Sequence, residues 1–206
     1  MVVLGAGRHA IEVLDVLEYN KCVDDIVFFD NTSSIVDKRC FDNYDILRDI
    51  KSLGDKFRST PNFIIAVGSK EGRKKLSEIG RMSGGQLDSI ISKSALIGKH
   101  DVMLSSGLNI MHHVIISSHT CIGEGTLINA KSSIHHDCVV GKYCEIGPNC
   151  TITGNVHIGD FCTLGTGVRI VPDIRVGDNV TIGAGAVVTT DLKDNTLYVG
   201  VPAREV

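Results

Sequence analysis

Residues 140–170 read VGKYCEIGPNCTITGNVHIGDFCTLGTGVRI, and every sixth residue of this stretch is aliphatic. The same spacing continues in both directions, so that fifteen consecutive repeats carry an aliphatic side chain at this position. These residues are Leu104, Ile110, Ile116, Ile122, Ile128, Ile134, Val140, Ile146, Ile152, Ile158, Leu164, Ile170, Val176, Ile182 and Val188. Neither the 3.6-residue period of a helix nor the 2-residue period of a strand produces this pattern.

A six-residue repeat predicts a parallel β-helix, in which each repeat supplies one short strand and one corner. Three repeats complete one triangular coil, so residues 18 apart should stack about 4.8 Å above one another. Glycine often follows the aliphatic residue, as at Gly123, and there we expect a positive φ at the corner. Cys138, Cys144, Cys150 and Cys162 occupy the small inward position without any CxxC motif, which predicts packing and not zinc binding.

The first 88 residues lack the repeat and alternate short apolar strands with helices. The predicted elements are a strand at 2–4, a glycine turn at 5–10, a helix at 11–17, a second strand at 26–30 and a third at 63–68. This order predicts a small parallel βαβαβ domain, half of a Rossmann unit, with residues 89–103 joining it to the β-helix. The glycine turn indicates a nucleotide or phosphate at the helix N-terminus, or else a turn that merely needs glycine. Half a unit argues against a whole dinucleotide such as NAD.

Composition excludes several classes of protein. The 206 residues are 43% hydrophobic and carry a net charge of −3, which argues against a nucleic-acid-binding surface. No apolar run approaches the roughly 20 residues that span a bilayer, and residues 1–5 lack the basic segment of a signal peptide. Seven cysteines, an odd number, do not indicate a disulfide framework. We therefore expect a cytoplasmic protein with no membrane contact.

His136 and Gly154 are 18 residues apart and should therefore stack in one column of the β-helix. An imidazole beside a bare backbone N–H suits acyl transfer, which needs a base for the nucleophile and a donor for the developing oxyanion. Asp137 could set the tautomer of the imidazole and raise its basicity. The alternative is that His136 is an ordinary surface or stacking residue of the coil.

Taken together, these features resemble the left-handed β-helix acyltransferases, over essentially the whole chain. The resemblance rests on the repeats, the His136-Asp137 pair, Gly154, the stretch GAGAVV at 183–188, the ending YVGVPA at 198–203 and the Gly-Ala-Gly-x-His opening. They match a branch of sugar acetyltransferases with a small nucleotide-binding N-terminal domain. This branch includes enzymes that acetylate UDP- or dTDP-4-amino-4,6-dideoxy sugars, GDP-perosamine enzymes and sialic acid O-acetyltransferase-like proteins.

The resemblance implies an α/β N-terminal domain at residues 1–88 and an all-β, left-handed β-helix at 89–206 with a C-terminal cap. It makes His136 the general base and Asp137 its support. It places Glu145, Gly154, Thr166 and Ala184 in the acetyl-CoA site, and Gly7, Arg8, His9, Asp30, Asn31, Gly68 and Arg73 in the sugar-nucleotide site. Glu145 departs from the pattern, because some relatives have a second histidine there and an ionised carboxylate cannot donate a hydrogen bond. The first strand is shorter than in most relatives, so we expect a few residues before Met1.

The implied activity is acetyl transfer from acetyl-CoA to the 4-amino group of a UDP- or dTDP-linked 4-amino-4,6-dideoxy sugar, by a homotrimer that needs no metal. One alternative is O-acetylation of a sugar hydroxyl, such as that of sialic acid, since the same dyad could activate an alcohol. Another is a catalytically silent scaffold, against which the intact His136, Asp137 and Gly154 speak. The sequence does not distinguish UDP, dTDP and GDP as the carrier.

Overall fold

The computed structural model describes residues 1–32 and 41–206. Its N-terminal part is one parallel sheet in the order β3-β2-β1-β4-β5, flanked by helices. The elements are β1 Val2–Leu4, α1 Arg8–Asn20, β2 Val27–Phe29, β3 Asp45–Leu47, α2 Ile50–Phe57, β4 Asn62–Ile65, α3 Lys70–Met82 and β5 Gln86–Leu87. The strands after β1 are added first on one side of it, as β2 and β3, and then on the other side, as β4 and β5. The point between β1 and β4 is therefore the topological switch point of an open α/β sheet.

Sequence reasoning found three of these five strands. It missed β3 and β5, which lie at the two edges of the sheet. Both are only two or three residues long, and the residues of β3 are exposed or half-buried. A strand this short at an edge has neither a hydrophobic run nor an alternation that a periodicity argument can detect.

The remainder forms a parallel β-helix with three flat faces, which the chain visits in the order face 1, face 2, face 3. Face 1 contains β6 Ile90–Ile91, β9 Asn109–Ile110, β12 Leu127–Ile128, β15 Glu145–Ile146, β18 Thr163–Leu164, β21 Thr181–Ile182, β23 Leu197–Val199 and the antiparallel β24 Arg204–Glu205. Face 2 contains β7 Leu96–Ile97, β10 Ile115–Ile116, β13 Ser133–Ile134, β16 Thr151–Ile152, β19 Arg169–Ile170 and β22 Val187–Val188. Face 3 contains β8 Met103–Leu104, β11 Cys121–Ile122, β14 Val139–Val140, β17 His157–Ile158 and β20 Arg175–Val176.

From β8 to β22 strand pairing follows the 18-residue register that the repeat predicts, as in Ile134↔Ile152. The pairings of β6 and β7 are 19 residues apart, and that of β21 with β23 is 16. The periodic aliphatic residues fill the interior, and only Leu104 among them is partly exposed. The four inward cysteines are fully buried with free thiols, which confirms their packing role. The coils begin earlier than expected, because β6 already pairs with β9. Residues 89–103 are thus part of the β-helix and not a joining segment.

The reason for the periodic glycines differs from the one expected. Positive φ falls three residues after the aliphatic position, at residues such as Asp137 (φ 59°), and not at Gly123 or Gly141. A Cβ on Gly123 would instead lie 2.5 Å from the carbonyl carbon of Gly141 in the next coil. Glycine is needed there because neighbouring coils approach closely, and not because of backbone conformation.

The N-terminal domain packs on face 1 and on the edge between faces 3 and 1. Its helix α1 contacts β6, and Leu127 of β12 joins the hydrophobic cluster under that helix. From α3, Lys70 donates hydrogen bonds to the Phe161 carbonyl and the Asn179 side chain, both at 2.8 Å. The edge between faces 2 and 3 is therefore on the opposite side of the triangular prism from the N-terminal domain.

Candidate active site

His136 lies at the corner between β13 and β14, on the edge where faces 2 and 3 meet. Its Nδ1 is 2.7 Å from Oδ2 of Asp137, and both side chains are more than half exposed. An ionised carboxylate can accept a hydrogen bond but cannot donate one, so Nδ1 of His136 must carry the proton of this bond. Nε2 is then unprotonated and free to take up a proton. The corner thus presents an accessible imidazole in the tautomer that a general base requires.

Gly154 lies directly beside the His136 ring, one coil along. A Cβ on Gly154 would be 2.6 Å from Cε1 and 2.8 Å from Nε2 of His136. Any residue larger than glycine at position 154 would therefore clash with the His136 ring where it now lies. Among the described residues, the Gly154 N–H donates to no backbone acceptor. The predicted column of imidazole and free amide therefore exists on this edge, with the His136 ring exposed and Gly154 buried beside it.

Thr166 and Ala184 stack one coil apart, but on a different edge from His136. They occupy corners between β18 and β19 and between β21 and β22, where faces 1 and 2 meet. The Gly185 N–H donates to the Thr166 carbonyl at 2.8 Å, which ties the two corners together. Within one chain, face 2 separates these two residues from the His136–Gly154 column.

Glu145 lies on face 1, below the N-terminal domain. Its Oε1 is 3.6 Å from the position that a Cβ on Gly68 would take, in the loop after β4. Burial raises the pKa of the Glu145 carboxyl, against the attraction of His9 and Arg73. Glu145 follows His136 by nine residues, and each face of the β-helix takes six, so the two residues are one and a half faces apart. Within one chain they therefore lie on opposite sides of the β-helix.

A cavity of about 360 Å³ opens at the carboxyl ends of β1, β2 and β4, where the sheet reverses direction. The predicted residues Gly7, Asp30 and Asn31 line it, together with Lys75 of α3. The cavity lies beside the start of α1, whose positive dipole end favours an anion. Arg8 and His9 form the first turn of this helix.

Asp30 is held in place by its own loop. Its Oδ1 accepts hydrogen bonds from the backbone N–H and the hydroxyl of Thr32, at 2.9 and 3.0 Å. His9 is held similarly, with Nδ1 2.8 Å from Oε2 of Glu12. The hydrogen bond to His9 lowers the pKa of the Glu12 carboxyl. Both predicted residues thus have fixed side chains at the rim of the cavity or next to it.

The expectation for Arg73 is wrong, because this side chain is fully buried and cannot reach a ligand. It donates to the carbonyls of Gly125, Val67 and Gly107 at 2.5, 3.0 and 2.8 Å, and to Oδ1 of Asn109 at 2.6 Å. Desolvation lowers the Arg73 pKa to about 9. Arg73 therefore joins the N-terminal domain to the β-helix instead of holding a sugar nucleotide.

Sequence reasoning also missed two residues. Lys75 of α3 supplies the cavity with a positive charge. Asn109 is 1% exposed and bridges the domains, because its Nδ2 donates to the Ile65 carbonyl at 2.8 Å while Oδ1 accepts from Arg73. No pattern in the sequence distinguishes it from the other outward residues of the repeat.

Residues 1–32 and 41–206 contain no group of three or more His, Cys, Asp or Glu side chains arranged to hold a metal ion. Over the same residues, no helix has the length and apolar character needed to cross a membrane.

Comparisons with known proteins identify both parts of the chain. Residues 1–79 match the PglD N-terminal domain, and residues 119–154 and 155–190 match the bacterial transferase hexapeptide (six repeats). A crystal structure of a perosamine N-acetyltransferase variant from Caulobacter crescentus, in complex with CoA and GDP-perosamine, is 31% identical and has a TM-score of 0.88. It aligns with 100% of this chain and 95% of its own. The chain belongs to the hexapeptide-repeat sugar acyltransferases.

One further comparison agrees with this membership and another with the fold. GDP-perosamine N-acetyltransferase from Escherichia coli O157:H7 is 28% identical over 171 residues, which are 76% of this chain and 71% of the relative. The acetyltransferase domain of PglB from Neisseria gonorrhoeae FA1090, in complex with acetyl coenzyme A, shares the fold with a TM-score of 0.90 at 24% identity. It aligns with 100% of this chain and 98% of that domain. The expected fold, a Rossmann-like domain followed by a left-handed β-helix, is confirmed.

Proposed function

We propose that this chain transfers an acetyl group from acetyl-CoA to the 4-amino group of a nucleotide-linked 4-amino-4,6-dideoxy sugar, with His136 as the general base. The observation that carries the proposal is the column in which the His136 imidazole, oriented by Asp137, lies against the bare amide of Gly154. The relatives that bind CoA and GDP-perosamine support the choice of donor and acceptor classes.

The chemistry follows from these groups. The neutral amine attacks the thioester carbonyl carbon, and Nε2 of His136 takes a proton from the nitrogen as the C–N bond forms. Asp137 stabilises the imidazolium, and the Gly154 N–H stabilises the oxyanion. When the intermediate collapses, the C–S bond breaks and the imidazolium returns its proton to the CoA thiolate. The chain's own residues thus supply proton transfer and charge stabilisation.

The residues proposed for acetyl transfer and those proposed for nucleotide binding do not meet within one chain, which supports a homotrimer with sites between subunits. The N-terminal domain covers face 1, while His136 lies on the opposite edge. Four large apolar side chains flank that edge and are 39–66% exposed: Leu96 and Ile115 on face 2, and Met103 and Val139 on face 3. A three-fold ring of identical contacts would cover these side chains and bring His136 of one subunit to the N-terminal domain of the next.

The nucleotide is proposed to occupy the cavity between Asp30 and Lys75, with its phosphates at the start of α1. A buried anion there gains from the helix dipole, from the Lys75 ammonium and from backbone N–H groups. The family resemblance implies UDP or dTDP as the carrier, whereas the similar proteins are named for GDP-perosamine. All three carriers therefore belong in the test.

The test is thiol release from acetyl-CoA with UDP-, dTDP- and GDP-linked 4-amino sugars, their 4-hydroxy counterparts and free sialic acid. Turnover with a nucleotide-linked amino sugar is the expected result. Turnover with hydroxylated sugars alone would replace the proposal with O-acetylation. No turnover and no CoA binding would leave a scaffold, and would overturn the proposal.

A further inference from the structure

Five residues occupy the same corner position on the edge between faces 2 and 3, one in each successive coil. Each has a positive φ, between 49° and 66°. They are Asp101, His119, Asp137, Asn155 and Asp173. Because they share one backbone conformation and stack at the spacing of paired strands, their side chains form a row along this edge. Asn155 follows Gly154 in the chain and lies next to Asp137 in the row, so it borders the proposed active site.

The amide of Asn155 has a fixed orientation. Its Nδ2 donates a hydrogen bond to Oδ1 of Asp173 at 2.8 Å, in the next coil. The assignment of nitrogen and oxygen follows from the partner, because an ionised carboxylate accepts hydrogen bonds and cannot donate them. The carbonyl oxygen of this amide therefore lies on the side away from Asp173, where Asp137 lies. Within residues 1–32 and 41–206 this oxygen accepts no hydrogen bond, and the side chain is exposed.

A neutral primary amine has one lone pair and two N–H groups. During attack the lone pair points at the thioester carbon, and one N–H donates to Nε2 of His136. The second N–H needs another acceptor. A Cβ on Gly154 would lie 2.8 Å from Nε2 of His136 but 3.2 Å from Nδ1, so Nε2 faces the coil that carries Gly154 and Asn155. An amine bonded to Nε2 is therefore beside Asn155, whose carbonyl oxygen has no partner in the described chain.

We propose that Asn155 is a specificity-determining residue that accepts the second N–H of the attacking amine, an inference that rests on the function proposed above. A hydroxyl has a single O–H, which His136 takes, so an alcohol leaves the Asn155 oxygen without a partner. A site built to bind a substrate N–H rejects an analogue that lacks it. The amide oxygen carries no net charge, so it lacks the strong preference for an ammonium that a carboxylate has. Asp173 is then a positioning residue, which holds the amide.

The experiment compares wild type with Asn155→Gly, because glycine removes the side chain and adopts a positive φ without strain. Asn149→Gly is the matched control, since Asn149 has the same φ of 57° and is also exposed, but lies on the edge between faces 1 and 2. The substrate is whichever nucleotide-linked 4-amino sugar the wild type acetylates. Thiol release gives kcat and KM, and the 4-deoxy counterpart, which has no donor at C4, is measured as a competitive inhibitor.

Loss of the hydrogen bond predicts that Asn155→Gly lowers kcat/KM for the amino sugar by roughly 10-fold. The inhibition constant of the 4-deoxy sugar and the KM for acetyl-CoA should change by less than about twofold, because neither ligand uses the Asn155 oxygen. Turnover of the 4-hydroxy sugar, where the wild type shows any, should not fall. The preference for amine over hydroxyl therefore decreases in Asn155→Gly, and Asn149→Gly should behave as wild type.

An unchanged kcat/KM for the amino sugar in Asn155→Gly would overturn the inference. Equal weakening of the 4-deoxy inhibitor would overturn it too, because Asn155 would then bind the sugar and not its amine. A similar loss in Asn149→Gly would assign the effect to glycine at a corner, with the same consequence. If the wild type acetylates no amino sugar, the proposed function fails together with this inference, whereas failure of Asn155 alone leaves an active wild type.

Discussion

Arg73 is the polar centre of the contact between the two domains, and its removal gives the sharpest test of how they are held together. Arg73→Met keeps the volume but deletes donors to three carbonyls and to Asn109, all at 2.5–3.0 Å. The acceptors left without partners each cost about 1–3 kcal/mol. Removing a buried charge offsets part of this, since desolvation already lowers the Arg73 pKa to about 9. We expect a net loss of about 3 kcal/mol.

Arg81→Met is the matched control on the same helix. Arg81 pairs with Glu124 of the β-helix at 2.8 Å, but its side chain is 45% exposed. An exposed ion pair contributes less than about 1 kcal/mol. Urea unfolding followed by the circular dichroism of helices reports on the N-terminal domain, because α1, α2 and α3 all lie before residue 83. Equal effects of the two substitutions would refute the assignment of Arg73 as the main link.

Three further predictions concern the site. Gly154→Ala places a methyl group 2.6 Å from Cε1 of His136, so kcat should fall about 10²-fold with little change in Tm. Gly54→Ala is the control, because its methyl group would lie 3.5 Å from the nearest atom, and it should leave kcat unchanged. A Cβ on Gly7 meets no atom within 4 Å. Gly7→Glu adds a negative charge at the start of α1, so calorimetry should show loss of sugar-nucleotide binding with acetyl-CoA binding intact. Co-assembly of His136→Ala with Gly7→Glu should restore activity at about a quarter of sites if each site joins two subunits. A site within one chain would leave the mixture inactive.

The β-helix could be predicted because its determinants are local and repeated. Each aliphatic residue from Ile110 to Val188 is buried at the spacing seen in the sequence. The column of His136 and Gly154 followed from the same arithmetic, since residues 18 apart must stack. The periodic glycines were located but misinterpreted, because the close approach at Gly123 is a contact between coils and not a property of one residue.

The contact between the domains could not be predicted from the sequence. The expectation that Arg73 binds substrate came from the family resemblance alone. Its partners are mostly backbone carbonyls such as that of Gly125, 52 positions away, and any sequence supplies those. The role of Asn109 is hidden for the same reason. A buried polar network depends on how two folded parts dock, which no short motif encodes.

The central claim is that His136 takes a proton from a sugar amine during acetyl transfer, and steady-state kinetics tests it most directly. Thiol release from acetyl-CoA with the nucleotide-linked 4-amino sugar is measured for wild type and for His136→Ala. Loss of a general base predicts a fall in kcat of about 10²- to 10⁴-fold, with the KM for acetyl-CoA little changed. A His136→Ala protein with nearly wild-type kcat would contradict the account.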